Sequence, residues 1–555
     1  MAQAKFKPQP TQAIRKPSQG QGRYPVPVGG LNYHQSLLTM PPTEALLLDN
    51  FVPRPYGLEI RKGWQFWIPE ADKFVGEVRT IMPYTAAVTA NSRIFAGQSA
   101  DDVIYDVTTP NAAPTVSHTC SSHSTVKGEW YYLNFVTPGG AFLCCVSHGA
   151  GYLIYDTALG WREVAVGTAA GQLQFPAGDT TTPKDFTSIF VWKNRLWFLT
   201  GNSSTTYYLP VCQLTGQLSV LNLGSQLLHG GVLSFATSWT YDSGRGIDDS
   251  LVFVSSEGDI LVYQGTDPAN VDTFSLQGAW YAGRIVAGRR AFCALGGDVI
   301  LLTEYGVIRM SDLVSGRLAQ AELTSSSDTF YKINPRLARF VTNQLNDPYW
   351  FLLPYPSDEL LILGSPYLNN VTGARQSFVM NSLINAWATL SDLDLLCADV
   401  YYGKMIYGTR DGYVIHGFVG FSDRVSSDSA DVGTEVTGRL QSSFNDFGNP
   451  TMNKRLLRMK IYGVCDGIPS ASIRFVNEYD LTTRLDTASP LSKEGGIWDG
   501  SNWDDAFWAG NQLSLRRWIG ICGYGKKLSM LMAIRGQGQT ILSDYEVLFE
   551  TGANL

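Results

Sequence analysis

An all-β chain is what this sequence predicts, and three observations carry the prediction. Charged residues make up only 16% of the 555 positions, against about 25% in an ordinary globular domain. Glycine is abundant, at 55 residues, and aromatic side chains contribute 12%, a composition suited to short strands and frequent turns. Third, from about residue 78 to 418 the same beat recurs: a short apolar strand, a tight polar turn, then a second strand.

The copies are "RIFAGQSADDVIYDVT" (93–108), "FLCCVSHGAGYLIYDT" (142–157), "RLWFLTGNSSTTYYLP" (195–210), "LVFVSSEGDILVYQGTDP" (251–268), "VILLTEYGVIRMSD" (299–312) and "KMIYGTRDGYVIHGF" (404–418). Each has the form of a hairpin, with Gly-containing turns such as "SEGD" and "RDG" between apolar runs. Aligning the second strands superposes Tyr105, Tyr155, Tyr208, Tyr263, Ile308 and Ile415. The spacing is about 50 residues, except for a last gap of about two periods. That gap holds "PYWFLLPYP" (348–356) and "SFVMNSLINAWATL" (377–390), which supply the missing hairpin. One four-stranded sheet per period of this length is the arithmetic of a β-propeller, in which each blade buries its faces on two neighbours. About six or seven blade-like units fit the span. A series of unrelated β-sandwiches is the competing arrangement.

In chain order, residues 1–30 form a flexible basic arm. They hold Lys5, Lys7, Arg15, Lys16 and Arg23 and no acid, in a Pro, Gln and Gly matrix too polar to build a core. Residues 31–77 form an N-terminal docking segment, and 78–418 the propeller-like repeat. From 419 to 555 the strands lengthen and alternate, as in "RLLRMKIYGVC" (455–465) and "TILSDYEVLFETG" (540–552), which predicts an additional β-sandwich or platform domain at the C-terminus.

The formal net charge is −7, so the chain as a whole is no electrostatic glove for nucleic acid. Its eight cysteines show no CxxC pair and no His-spaced companion. They are expected as small buried residues of a chain that folds in a reducing compartment, without zinc or disulfides. No apolar h-region follows the first lysines and no run of 18 apolar residues occurs, which predicts a soluble protein made in the cytoplasm.

The search for chemistry is negative. "GICGYGKK" has Gly520, Gly525 and Lys526 at P-loop spacing, but Lys527 stands where a Ser or Thr would hold magnesium. The six histidines form no HExxH, and no GxSxG elbow occurs. The Asp-Gly and Gly-Asp turns echo those of glycosidase propellers, but hairpin closure explains them and no carboxylate pair can be assigned. The stretch "NKRLLRMK" (453–460) is expected as a protected edge strand, with Arg455, Leu457 and Met459 on one face and Leu456, Arg458 and Lys460 on the other. No catalytic residue, cofactor or metal ligand is assigned.

The passage "VPVGGLNYHQSLLTMPPTEALLLDNFVPRPYGLEIRKGW" (26–64) resembles the opening of a family of short-tailed bacteriophage proteins, the tail nozzle or tail tubular protein B family. "SWTYDSGRGIDDSLVFVSSEGDILVYQGTDP" (238–268) and "YEVLFETGANL" (545–555) are similar to that family as well. The resemblance implies a non-enzymatic virion tail protein that assembles as a ring, expected to hold six copies. It would dock on a gatekeeper or adaptor ring, help hold tail fibres or spikes, and let genomic DNA pass without sequence-specific binding. Alternatives are a head-completion plug that stabilises packaged DNA, a receptor-binding or glycan-depolymerising tail protein, and a propeller serving a cellular partner.

A closed ring needs head-to-tail interfaces, and Phe51, Tyr56 and Trp64, with the basic arm, are the candidates for them. In "IWDGSNWDDAFWAGN" (497–511), Trp498, Trp503 and Trp508 stand five apart. Five residues turn a helix by about 140° and reverse a strand's face, so the rings are expected to anchor an irregular loop or a subunit junction.

Overall fold

The computed structural model describes residues 18–552, apart from 241–248, 271, 289, 317–328, 369–374, 425–432, 467–468, 478, 480–488, 491–512, 516–517 and 537. Among the described residues seven antiparallel sheets succeed one another along the chain, six of them separate sheets of three or four strands and the sixth in order one end of a ten-stranded sheet. Their first strands are Val78–Tyr84, Tyr131–Thr137, Phe186–Trp192, Leu233–Trp239, Phe292–Leu295, Phe351–Tyr355 and Cys397–Tyr401. Tyr105, Tyr155, Tyr208, Tyr263, Ile308 and Ile415 each fall in the third strand of a sheet, and the sheet between the last two is built from the segments that fill the long gap.

From the first sheet to the fifth each packs on the next through its own apolar cluster, and the fifth, sixth and seventh share one large cluster with the C-terminal strands, which is why middle strands such as Ser250–Ser255 and Asp298–Thr303 are almost continuously apolar rather than alternating. Phe95, Trp130 and Leu143 join the first sheet to the second. Tyr152, Phe186 and Phe198 join the second to the third. The circle closes where Cys397, Ile406 and Val414 of the seventh sheet pack on Val78 and Ile94 of the first. The Cys397 thiol donates to the Val78 carbonyl at 3.2 Å, and the Val78 N–H donates to the Thr409 carbonyl at 3.0 Å. The chain is thus all-β and propeller-like.

Two sheets depart from the pattern. The fifth has three strands, followed by the helices Met310–Val314 and Asn334–Asn343. The seventh takes its fourth strand from far upstream, where Trp64–Phe66 pairs with Val414–Gly417.

The C-terminal strands do not stand apart from this circle. The sixth sheet continues through Ala45–Asp49 into Thr434–Ser442, Leu528–Gly536 and Ser470–Asn477. A second layer pairs Ser18–Pro25, Gly57–Ile60 and Lys454–Cys465 with Thr540–Thr551. Leu440, Met532 and Ile534 of one layer share a core with Leu456, Met459, Val547 and Phe549 of the other. Residues 18–25, placed by composition in a flexible arm, are therefore a strand, and the docking segment docks on its own chain.

Lys454–Cys465 is not an edge strand, because Trp518–Gly525 and Thr540–Thr551 pair on its two sides. A bulge between Leu456 and Arg458 shifts the alternation, so that Leu456 and Met459 are both buried. The glycine-rich "GICGYG" is itself strand. Cys120, Cys144, Cys145, Cys293, Cys397 and Cys465 are buried, Cys212 is half-buried and Cys522 is exposed. Among the described residues no helix is long and apolar enough to cross a membrane.

Candidate functional site

The axis of the circle is the natural place to look, since the first strands of the second to seventh sheets line one cavity of ≈240 Å³. Its walls are mostly aromatic and aliphatic, including Tyr131, Phe190, Phe292 and Phe351. Three polar side chains meet there: Tyr132 from the second sheet, Asp399 from the seventh, and Arg290 from the connection that enters the fifth.

The Tyr132 hydroxyl donates to the Asp399 carboxylate, whose other oxygen accepts the Val400 N–H at 2.6 Å. The Arg290 guanidinium donates to the Trp130 carbonyl at 2.6 Å and lies 4.9 Å from the centre of the Tyr132 ring. That geometry is a cation–π contact. Burial pushes the Asp399 carboxyl above its ordinary range, against the Tyr132 and Val400 hydrogen bonds and the Arg290 charge. Burial pushes the Tyr132 phenol well up, and the facing carboxylate adds to it. The trio links the second and seventh sheets and the connection that enters the fifth at the axis, with the Tyr132 hydroxyl hydrogen-bonded to the Asp399 carboxylate and Arg290 held on the Trp130 carbonyl.

The residues singled out in the N-terminal segment are spread over three environments. Phe51 is fully buried in the core shared by both layers, against Gly438, so it offers no surface to a neighbouring subunit; the packing that buries it corrects its assignment as an interface residue. Tyr56 is 57% exposed at the tip of the hairpin formed by Phe51–Arg54 and Gly57–Ile60. Trp64 is half-buried in the borrowed strand, edge-on to Phe66 at 5.2 Å. Trp498, Trp503 and Trp508 lie outside the described residues.

What the segment does provide is a series of ion pairs, buried at Arg54 and Arg61 and half-buried at Lys62. Arg61, with a fully buried side chain, grips Asp423 through two hydrogen bonds of 2.8 and 2.6 Å and Asn50 through a third of 3.0 Å. Arg54 meets Glu59 at 3.1 Å, and Lys62 meets Asp358 at 2.5 Å. Between them Gly63 runs so close to Ser422 that a Cβ would sit 1.9 Å from its carbonyl oxygen. Beside the borrowed strand, Gln65 Nε2 is 3.1 Å from His416 Nδ1. Burial, with the Lys404 charge behind it, pulls His416 down to about 4.

One cluster escaped the sequence search because its members come from two sheets: His118, Cys120 and Glu163, at the outer rim. Spacing rules look for ligands within one turn or hairpin, whereas Glu163 reaches this group only through the pairing of strands in space.

No family model matches the chain, and no curated protein matches it. Similar solved structures include the computationally designed Ika8 protein, at 10% identity and a TM-score of 0.37 over 64% of this chain and 100% of that one. The β-propeller domain of Myceliophteria thermophila Cps50 (Swd1) is 11% identical, with a TM-score of 0.36 over 62% of this chain and 99% of that one. YCF48 bound to D1 peptide is 9% identical, with a TM-score of 0.34 over 62% and 94%.

Proposed function

We propose that the protein is a non-enzymatic structural subunit of a short phage tail nozzle, a seven-bladed propeller joined to a two-layered platform, six copies of which form a ring. The observation that carries this reading is the stretch 26–64, whose likeness to the tail nozzle family extends over the residues that join platform and propeller. Its buried pairs, Arg61 with Asp423 above all, make that stretch the connection on which a subunit's rigidity depends. Rigid connection of two bodies is what a ring under pressure from packaged DNA requires.

The genome path in this reading runs between protomers. A cavity of ≈240 Å³ crossed by Arg290, Tyr132 and Asp399 has room for a few water molecules, not for a duplex whose major groove alone is about 12 Å wide. The net charge of −7 agrees with a duct that releases its cargo, since strong phosphate contacts would retard passage. The ring would dock on a gatekeeper ring and carry fibres at its periphery. Mass measurement and negative-stain microscopy of the purified chain test the proposal: sixfold rings with a central opening are expected, and a strictly monomeric protein absent from virions would overturn it.

A further inference from the structure

The outer edges of the first and second sheets bring together three side chains that share no mechanical task. His118 lies in the strand Thr115–Thr119, Cys120 follows it, and Glu163 ends the strand Gly160–Glu163. One ligand atom from each lies within 4.8 Å of the other two. His118 Nε2 is 3.2 Å from Glu163 Oε1, and the same carboxylate accepts the Ser121 N–H at 2.6 Å and the Ser121 hydroxyl. The imidazole is held by stacking on Trp161, whose indole N–H donates to Ser117 at 3.0 Å.

The charge around this group is one-sided. Two acidic residues lie beside Cys120: Glu163, with a carboxylate oxygen within 4.8 Å of its thiol, and Asp102, whose backbone carbonyl accepts the Cys120 N–H at 3.1 Å. Neither carboxylate pairs with a Lys or Arg among the described residues; their partners are His118 and His123.

We propose that His118, Cys120 and Glu163 bind a borderline divalent cation, zinc by preference, which ties the outer edge of the first sheet to that of the second. Thiolate, imidazole and carboxylate are the ligand classes zinc takes, whereas magnesium and calcium prefer oxygen alone. Tetrahedral bonds of about 2.0–2.3 Å need ligand atoms about 3.3–3.8 Å apart. The His118 and Glu163 atoms, 3.2 Å apart, stand just under that separation, and a small adjustment opens them and brings in the thiol from within 4.8 Å. On binding, Cys120 loses its proton to solvent and His118 carries its remaining proton on Nδ1, so two anions and a neutral imidazole balance the dication. The rim position leaves the fourth place to water.

Cobalt(II) titration of the full-length, chelator-treated protein tests this. One ion per chain is expected, with thiolate-to-metal absorption in the near ultraviolet that zinc displaces. The band disappears in Cys120→Ser, and His118→Ala and Glu163→Gln bind more weakly by at least the about 10–100-fold that loss of an outer-shell partner costs. No saturable band, or an undiminished one in a Cys120→Ser protein of native circular dichroism, overturns the site in favour of a hydrogen-bonded His–Glu contact alone. If Cys120→Ser does not fold, Glu163→Gln decides, because its side chain lies at the surface: wild-type affinity there is equally fatal.

Discussion

The second to fourth sheets and the seventh sheet are alike in having four strands, yet they are assembled in opposite ways. The former each use one continuous stretch of chain, within 131–281, and neighbours in sequence are neighbours in space. The seventh borrows Trp64–Phe66 to lie against Val414–Gly417, about 350 residues downstream, and the platform likewise sets Ser18–Pro25 against Thr540–Thr551. Local hairpins close small loops, while these pairings close very large ones, so their closure costs more entropy, which dense packing and buried polar contacts offset. The difference teaches that the N-terminal segment acts as a seam, holding together parts that the rest of the chain leaves adjacent.

The largest effect is expected from removing residues 1–66. This deletes Ala45–Asp49, Phe51–Arg54, Gly57–Ile60 and Trp64–Phe66, opening both the seventh sheet and the platform. The truncated chain should be insoluble or lack a cooperative thermal transition; a truncated chain that melts like the intact one would show that the circle holds without its seam. Arg61→Ala comes next, because it strands Asp423 in the interior without its partner. A loss of about 3–5 kcal/mol is expected from denaturant titration.

Phe51→Ala and Phe198→Ala form a matched pair, both fully buried, one in the shared core and one between the second and third sheets. Each should cost about 3–5 kcal/mol. Hydrogen exchange should separate them, with faster exchange in both platform and sixth sheet for Phe51→Ala, and in the second and third sheets alone for Phe198→Ala.

The seam should also be sensitive to acid. His416 titrates at about 4 in the folded chain, against 6.5 for the free side chain. Between those values the unfolded chain binds the proton and the folded one does not, so stability falls as pH drops from about 6.5 to about 4. Amides of Trp64–Phe66 should exchange faster over that window. In His416→Gln that pH dependence should vanish, and its persistence would assign the effect to another group. The smallest effect on stability is expected for Tyr56→Ala, within about 0.5 kcal/mol for an exposed side chain. Tyr56 remains the exposed interface candidate of the segment, so ring formation in sedimentation is the informative readout: unchanged assembly would remove it from the interface.

The repeat was legible in the sequence because strands buried on both faces leave apolar runs of fixed length, and Tyr105, Tyr155, Tyr208 and Tyr263 mark the same strand of successive sheets. The borrowed strand was not, since nothing in "WQF" names a partner near residue 415. Nor was the face of Leu456 and Met459, because one bulge reverses an alternation that a sequence displays as unbroken. The axial trio of Arg290, Tyr132 and Asp399 was equally hidden, being drawn from two sheets and the connection into a third by the curvature of the circle. Charge and composition limited the chemistry without locating any of these groups.

The most direct test of the proposed nozzle is electron cryomicroscopy of the intact tail before and after ejection. Six copies should surround a duct lying between protomers, with each propeller axis closed by Arg290 and Tyr132 in both states. Density for DNA running through a propeller's own axis, or a tail without this protein, would contradict the account.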